Sequence, residues 1–149
     1  MSAQTYQQLT KETLEEHRQI HFFLDQIVAA VRALETDEVE PMRRLAAQID
    51  SFRERLVEHQ QSEEQGGMYP AILELLPEAR RELLGLRQQH QKMIEILEMA
   101  RIHAQHGTPD EAPDLRTDLE HFLEMMRTHE RDEEALLERA LEQERRSHT

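Results

Sequence analysis

Two short stretches of this chain carry the same histidine–carboxylate pattern. His59-Gln60-Gln61-Ser62-Glu63-Glu64 and His129-Glu130-Arg131-Asp132-Glu133-Glu134 both read H-x-x-x-E-E. On a helix, positions i and i+4 share a face. His59 with Glu63, and His129 with Glu133, can therefore point at one centre. A further histidine, His17 or His90, precedes each motif by about forty positions. Four imidazoles and two carboxylates are the donor set of a two-metal centre.

A buried carboxylate costs several kcal/mol unless it is paired, and two facing each other repel. Divalent cations resolve both problems, with the carboxylates bridging and the imidazoles terminal. No Lys or Arg lies in register to neutralise Glu63 or Glu133 instead. Mixed nitrogen and oxygen donors with open positions suit non-haem iron, or manganese. Zinc prefers four ligands and fits less well. The ferritin-like Glu-x-x-His pattern is absent, because Leu14, Leu56, Arg87 and Met126 stand three residues before the four histidines. The centre is histidine-rich.

Helices must position these groups. Pro and Gly punctuate the chain at Pro41 after Thr36-Asp37-Glu38, at Gly66-Gly67 and Tyr69-Pro70, at Pro77, and from Gly107-Thr108-Pro109 to Pro113. Four long segments lie between, about 8–35, 41–64, 78–105 and 113–145. Their apolar residues recur at gaps of three and four. The first buried stripe is predicted as Leu14, His17, His21, Leu24, Val28, Val31, and the second as Leu45, Ile49, Phe52, Leu56, His59, Glu63. The third is Leu83, Leu86, His90, Met93, Leu97, Ala100. The fourth is Leu115, Leu119, Phe122, Met126, His129, Glu133, Leu136, Ala140. The expected fold is all-α, a single-domain up-down-up-down four-helix bundle. Met68 to Leu76 is expected to form an extra turn after a glycine kink, and the chain beyond Leu141 to fray. The two halves match over His17, Ile20, Leu24 and His90, Met93, Leu97, which suggests a pseudo-twofold axis.

The bulk numbers narrow the function. A chain of 149 residues is long enough for one real core. A net charge of −13 argues against nucleic acid or an anionic membrane as partner. The absence of Cys removes disulfides, thiolate metal sites and thiol nucleophiles. No stretch approaches the roughly 20 apolar residues of a spanning helix, so the expected compartment is the cytoplasm.

The chain resembles the hemerythrin-like, HHE cation-binding family. The resemblance runs through Glu16-His17-Arg18, His59 to Glu63 leading into Met68-Tyr69-Pro70, Gln89-His90-Gln91, and His129 to Glu134. It implies a bundle around two iron ions with an oxo or hydroxo bridge that meets O2, peroxide or NO. The implied ligands are His17, His59, Glu63, His90, His129 and Glu133. Two departures stand out. Oxygen-carrying hemerythrins have a histidine one turn before the third-helix ligand, where this chain has Leu86. They also place Asp five residues after the fourth-helix histidine, where this chain offers Glu133 at four and Glu134 at five. The more symmetric set is similar to iron-centre repair proteins of nitrosative stress, without their Cys-bearing N-terminal domain. The implied role is to bind, sense or store O2, peroxide, NO or iron. The alternative is a di-iron oxidoreductase with peroxidase, NO-reducing or iron-repair activity, towards which Leu86 leans.

Blander assignments compete at each position. The His–Glu pairs could be hydrogen-bonded pairs in a polar core, and His17 or His90 alone an ordinary core histidine. Their joint presence on four seams favours ligation. His21 could supply a fifth imidazole, but its counterpart Ile94 is apolar, which favours a pocket-lining role. Glu133 continues the seam and is preferred to Glu134, which with Glu64 is expected to face solvent or to support a ligand. Tyr69 reads as a packing residue, with a role at the site as hydrogen-bond donor or redox partner as the alternative. His103, His106, His121 and His148 are read as surface residues.

Overall fold

A computed structural model describes residues 3–32, 39–106, 110 and 112–147. Helix α1 runs Ala3–Arg32, α2 Val39–Gln61, α3 Met68–Leu75, α4 Arg80–His106 and α5 Ala112–Ser147. A π-helical turn, Ser62–Gly66, extends α2, and a 3-10 turn, Pro77–Ala79, leads into α4. The protein is all-helical, with no strand among the described residues. The four long helices pack as a ring: α1 against α2, α2 against α4, α4 against α5, and α5 against α1. Among the described residues no helix is long and apolar enough to cross a membrane.

The helix bounds differ from the sequence expectation in instructive ways. α1 starts five residues before position 8; its expected last positions, 33–35, lie outside the described residues, as do Thr36-Asp37-Glu38 and Gly107-Thr108-Pro109. α2 starts before Pro41, not at it. First-turn N–H groups have no partner within the helix, so proline costs little there. Between Leu141 and Ser147 the chain does not fray. α5 continues to Ser147, and Glu144 is buried on the face that carries Leu137 and Ala140, close to Tyr6 of α1.

The buried track of α1 is also corrected. It runs Tyr6, Thr13, His17, Ile20, Leu24, Ile27, Val31. Leu14 is 37% exposed. Thr13 goes inside because its hydroxyl donates to the Leu9 carbonyl at 2.9 Å and so arrives satisfied. Val28 is only partly buried, and His21 is half-buried beside this track.

Two apolar clusters flank a polar layer. The larger joins Leu24 and Ile27 of α1, Ile49 and Phe52 of α2, Leu97 of α4 and Leu115 and Phe122 of α5. Phe52 and Phe122 meet edge to face at 5.8 Å. The smaller is organised by α3, whose Met68, Tyr69 and Ile72 pack with Leu83 and Leu86 of α4 and Leu136, Leu137 and Ala140 of α5. The histidines and glutamates lie between the clusters. Ile20, Leu56, Met93 and Met126, one from each long helix and each three residues from a motif histidine, form the adjoining layer of the larger cluster.

Candidate metal centre

The six side chains expected to converge do so. His17 comes from α1, His59 from α2, Glu63 from the π-turn, His90 from α4, and His129 and Glu133 from α5. All are buried except His59, which keeps 8% of its side chain exposed. The i,i+4 pairs close as their spacing requires: His59 Nε2 lies 3.2 Å from Glu63 Oε1, and His129 Nε2 3.0 Å from Glu133 Oε2.

The carboxylates are shared across the centre. Glu133 Oε1 is 2.9 Å from His17 Nε2, while its Oε2 faces His129 and, at 3.8 Å, His90 Nε2. Glu63 Oε1 faces both His59 and His90, the latter at 3.3 Å, and its Oε2 is 3.5 Å from His17. Two groups of donors able to hold a metal ion result, His17, His59, Glu63, Glu133 and Glu63, His90, His129, Glu133. Both glutamates belong to both groups.

The donor atoms fit cations better than they fit one another. Glu63 is 3% exposed and Glu133 fully buried, yet both Glu63 oxygens and Glu133 Oε1 lack a hydrogen-bond partner. Buried polar atoms are rarely left so. Among the described residues their ion-pair partners are histidines alone. The shorter N···O separations, 2.9 to 3.3 Å, match the span of about 3 Å between neighbouring ligands whose bonds to one cation are about 2.1 Å.

The four imidazoles turn Nε2 inwards, and three have Nδ1 held from outside. Glu16 Oε2 lies 2.6 Å from His59 Nδ1, Glu64 Oε2 2.8 Å from His90 Nδ1, and Gln89 Oε1 2.7 Å from His129 Nδ1. Glu134 Oε1 lies 3.6 Å from His17 Nδ1, which has no hydrogen bond. Such partners fix ring orientation and tautomer in metal sites. They obey the pseudo-twofold relation. The residue before His17 serves His59, and the residue before His90 serves His129. The second glutamate of each motif reaches the other half, Glu64 to His90 and Glu134 towards His17. The sequence assigned Glu16 and Gln89 no role. Their signal was position, one residue before a motif histidine in each half.

The π-turn sets the register here. Wider than an α-turn, it is a frequent device at functional sites. It puts Glu63 into the centre and Glu64 onto His90, and after Gly67 it hands Tyr69 to the interior. The Tyr69 hydroxyl donates to Glu133 Oε2 at 2.8 Å and sits 3.2 Å from His90 Nε2, with its ring stacked on that imidazole at 5.6 Å.

Charge in the centre is strongly coupled. Burial pushes the His17 imidazolium down, but Glu133 and Glu63 outweigh it and raise its pKa to about 11. Burial likewise opposes protonation of His59 and His90, and contact with Glu63 shifts both up. Burial would lift Glu63, but Glu133, His17, His59 and His90 hold it well below the usual carboxylate range. Burial first, then Glu133 and Glu63, pushes the Tyr69 phenol up. Protons balance the carboxylates here, so an entering cation must displace protons.

The profile of the hemerythrin HHE cation-binding domain matches residues 8–144. The chain belongs to that family. No curated protein and no solved structure matches it. Family membership and the clustered His and Glu donors together make this a cation-binding domain.

The remaining expected residues fall outside the two donor groups. His21 Nε2 pairs with Glu130 Oε2 at 2.6 Å. Glu134 is 49% exposed along its side chain. His103, expected on the surface, is partly buried and lies 3.4 Å from Asp118. His106 and His121 are exposed, and His148 lies outside the described residues. Leu86, one turn before His90, is buried in the α3 cluster.

Proposed function

We propose that this hemerythrin-like domain is a non-haem two-iron protein of the cytoplasm, an up-down-up-down bundle that handles O2, peroxide or NO. His17 and His59 would hold one cation, His90 and His129 the other, with Glu63 and Glu133 spanning both. Manganese or zinc fits the donors less well. The observation that carries this reading is Glu133, whose two oxygens face the two histidine pairs separately.

Bound iron would supply redox chemistry and open positions for a small ligand. The chain's own residues do the rest. Glu16, Glu64 and Gln89 hold imidazoles with Nε2 facing in. Ile20, Leu56, Met93 and Met126 wall a cavity of about 10 Å³ beside the histidines, with Glu130 and Gln60 also lining it. That is space for about one water-sized molecule. A second reading, an oxidoreductase that turns over peroxide or NO, is favoured by Leu86, which offers no donor beside His90.

The test is spectroscopic. Iron-loaded protein prepared without oxygen is exposed to air. A new visible band reversed by degassing supports reversible binding. Irreversible oxidation with peroxide consumption supports the oxidoreductase. A folded chain that takes up no iron refutes both.

A further inference from the structure

Tyr69 is a buried oxygen donor that touches the centre and has no part in the ligand set above. Its hydroxyl lies 2.8 Å from Glu133 Oε2 and 3.2 Å from His90 Nε2. In the metal-free centre both are hydrogen bonds, one donated to Glu133 and one shared with His90. Both distances are also close to the span of about 3 Å that separates neighbouring ligands around one cation, as are the shorter proposed ligand pairs at 2.9 to 3.3 Å. Glu133 and His90 also belong to the same donor group, the one that contains His129.

The position is built, not incidental. The Tyr69 ring is buried, stacks on His90 and packs in the α3 cluster. The π-turn and Gly67 supply the change of direction that brings it there. Leu86 and Leu136 beside it carry no donor, so Tyr69 supplies the only oxygen on that wall among the described residues of the cluster.

We infer that Tyr69 is an oxygen ligand of the cation held by His90 and His129, which makes the two metal positions chemically different. The inference rests on the two-metal reading. The phenol proton leaves to solvent when the cation binds, and the phenolate oxygen replaces a water. The equivalent position in the other half, six residues after Glu133, is Arg139, which pairs with exposed Glu82 at 2.8 Å and brings no oxygen to the centre.

Ferric iron bound by a phenolate absorbs in the visible through charge transfer, and Raman scattering excited in that band shows the tyrosine ring vibrations. The chain has two tyrosines, Tyr6 and Tyr69. The experiment loads the full chain with iron, oxidises it and records absorption and resonance Raman spectra, with and without ring-deuterated tyrosine. Deuterium-sensitive ring modes are expected in the unaltered chain and in Tyr6→Phe. They should be lost in Tyr69→Phe while that variant keeps its iron. An unaltered chain that holds ferric iron and shows no ring modes overturns the assignment, whether or not Tyr69→Phe folds. Ring modes that persist in Tyr69→Phe overturn it as well. A folded chain that binds no iron removes this assignment together with the two-metal reading.

Discussion

The His17/His59 and His90/His129 halves of the centre are built from the same motif and enclosed differently. In the first, the outer partners Glu16 and Glu134 are 46% and 49% exposed, and Glu134 stands too far from His17 for a hydrogen bond. In the second, Glu64 is 19% exposed and hydrogen-bonded to His90, and Tyr69 covers the inner side. Arg87 holds Glu64 in turn, at 2.8 Å. α3 makes the difference, because it packs Met68, Tyr69 and Ile72 onto α4 and α5 and lays the Tyr69 ring on His90. Duplicated motifs therefore need not give equivalent metal positions. The surrounding packing decides how firmly each donor is held.

The largest expected effect comes from what the halves share. Glu133→Gln keeps the shape and removes the charge that faces both histidine pairs. It should cut metal content from roughly two cations per chain to below about one, as read by elemental analysis. Loss from one half only would separate the two sites.

Next come the outer partners, where the halves should differ. Glu64→Gln should weaken binding about 10- to 100-fold, the usual cost of losing a carboxylate behind a ligand histidine. Glu134→Gln, exposed and unbonded, should change affinity by less than about threefold. Cobalt titration of both variants checks this, and equal losses would show that enclosure does not matter.

A third effect is set by protons. With its pKa raised to about 11, His17 is protonated in the metal-free centre at neutral pH. Binding must release that proton, so acid favours the metal-free state. Affinity should fall about tenfold per pH unit for each proton displaced. Calorimetry in two buffers of different ionisation enthalpy reads the released protons directly. Affinity that stays constant from about pH 6 to about pH 8 would contradict the assignment of His17.

Much of this was legible in the sequence because helical spacing translates directly into shared faces. His59 with Glu63 and His129 with Glu133 needed only the i,i+4 rule, and the extra turn after Gly66-Gly67 needed only glycine's cost in a helix. Other features were not legible. Thr13 displaced Leu14 from the buried track because its hydroxyl is satisfied by its own backbone, which composition counts as polar. The π-turn at Ser62–Gly66 has no reliable side-chain signature, so spacing left Tyr69 open between packing and reaching the centre. Glu16 and Gln89 act across helices, and contacts between helices depend on packing that spacing does not encode. The end of α5 was misread because Glu144 looks like a solvated charge until Tyr6 of α1 is placed near it.

The central claim is that two cations share Glu63 and Glu133. Elemental analysis of the anaerobically purified chain, with its helicity checked by circular dichroism, tests it most directly. The expected result is about two iron ions per folded chain. A fully helical chain carrying fewer than about one metal ion, and gaining none when iron is supplied, would contradict the account.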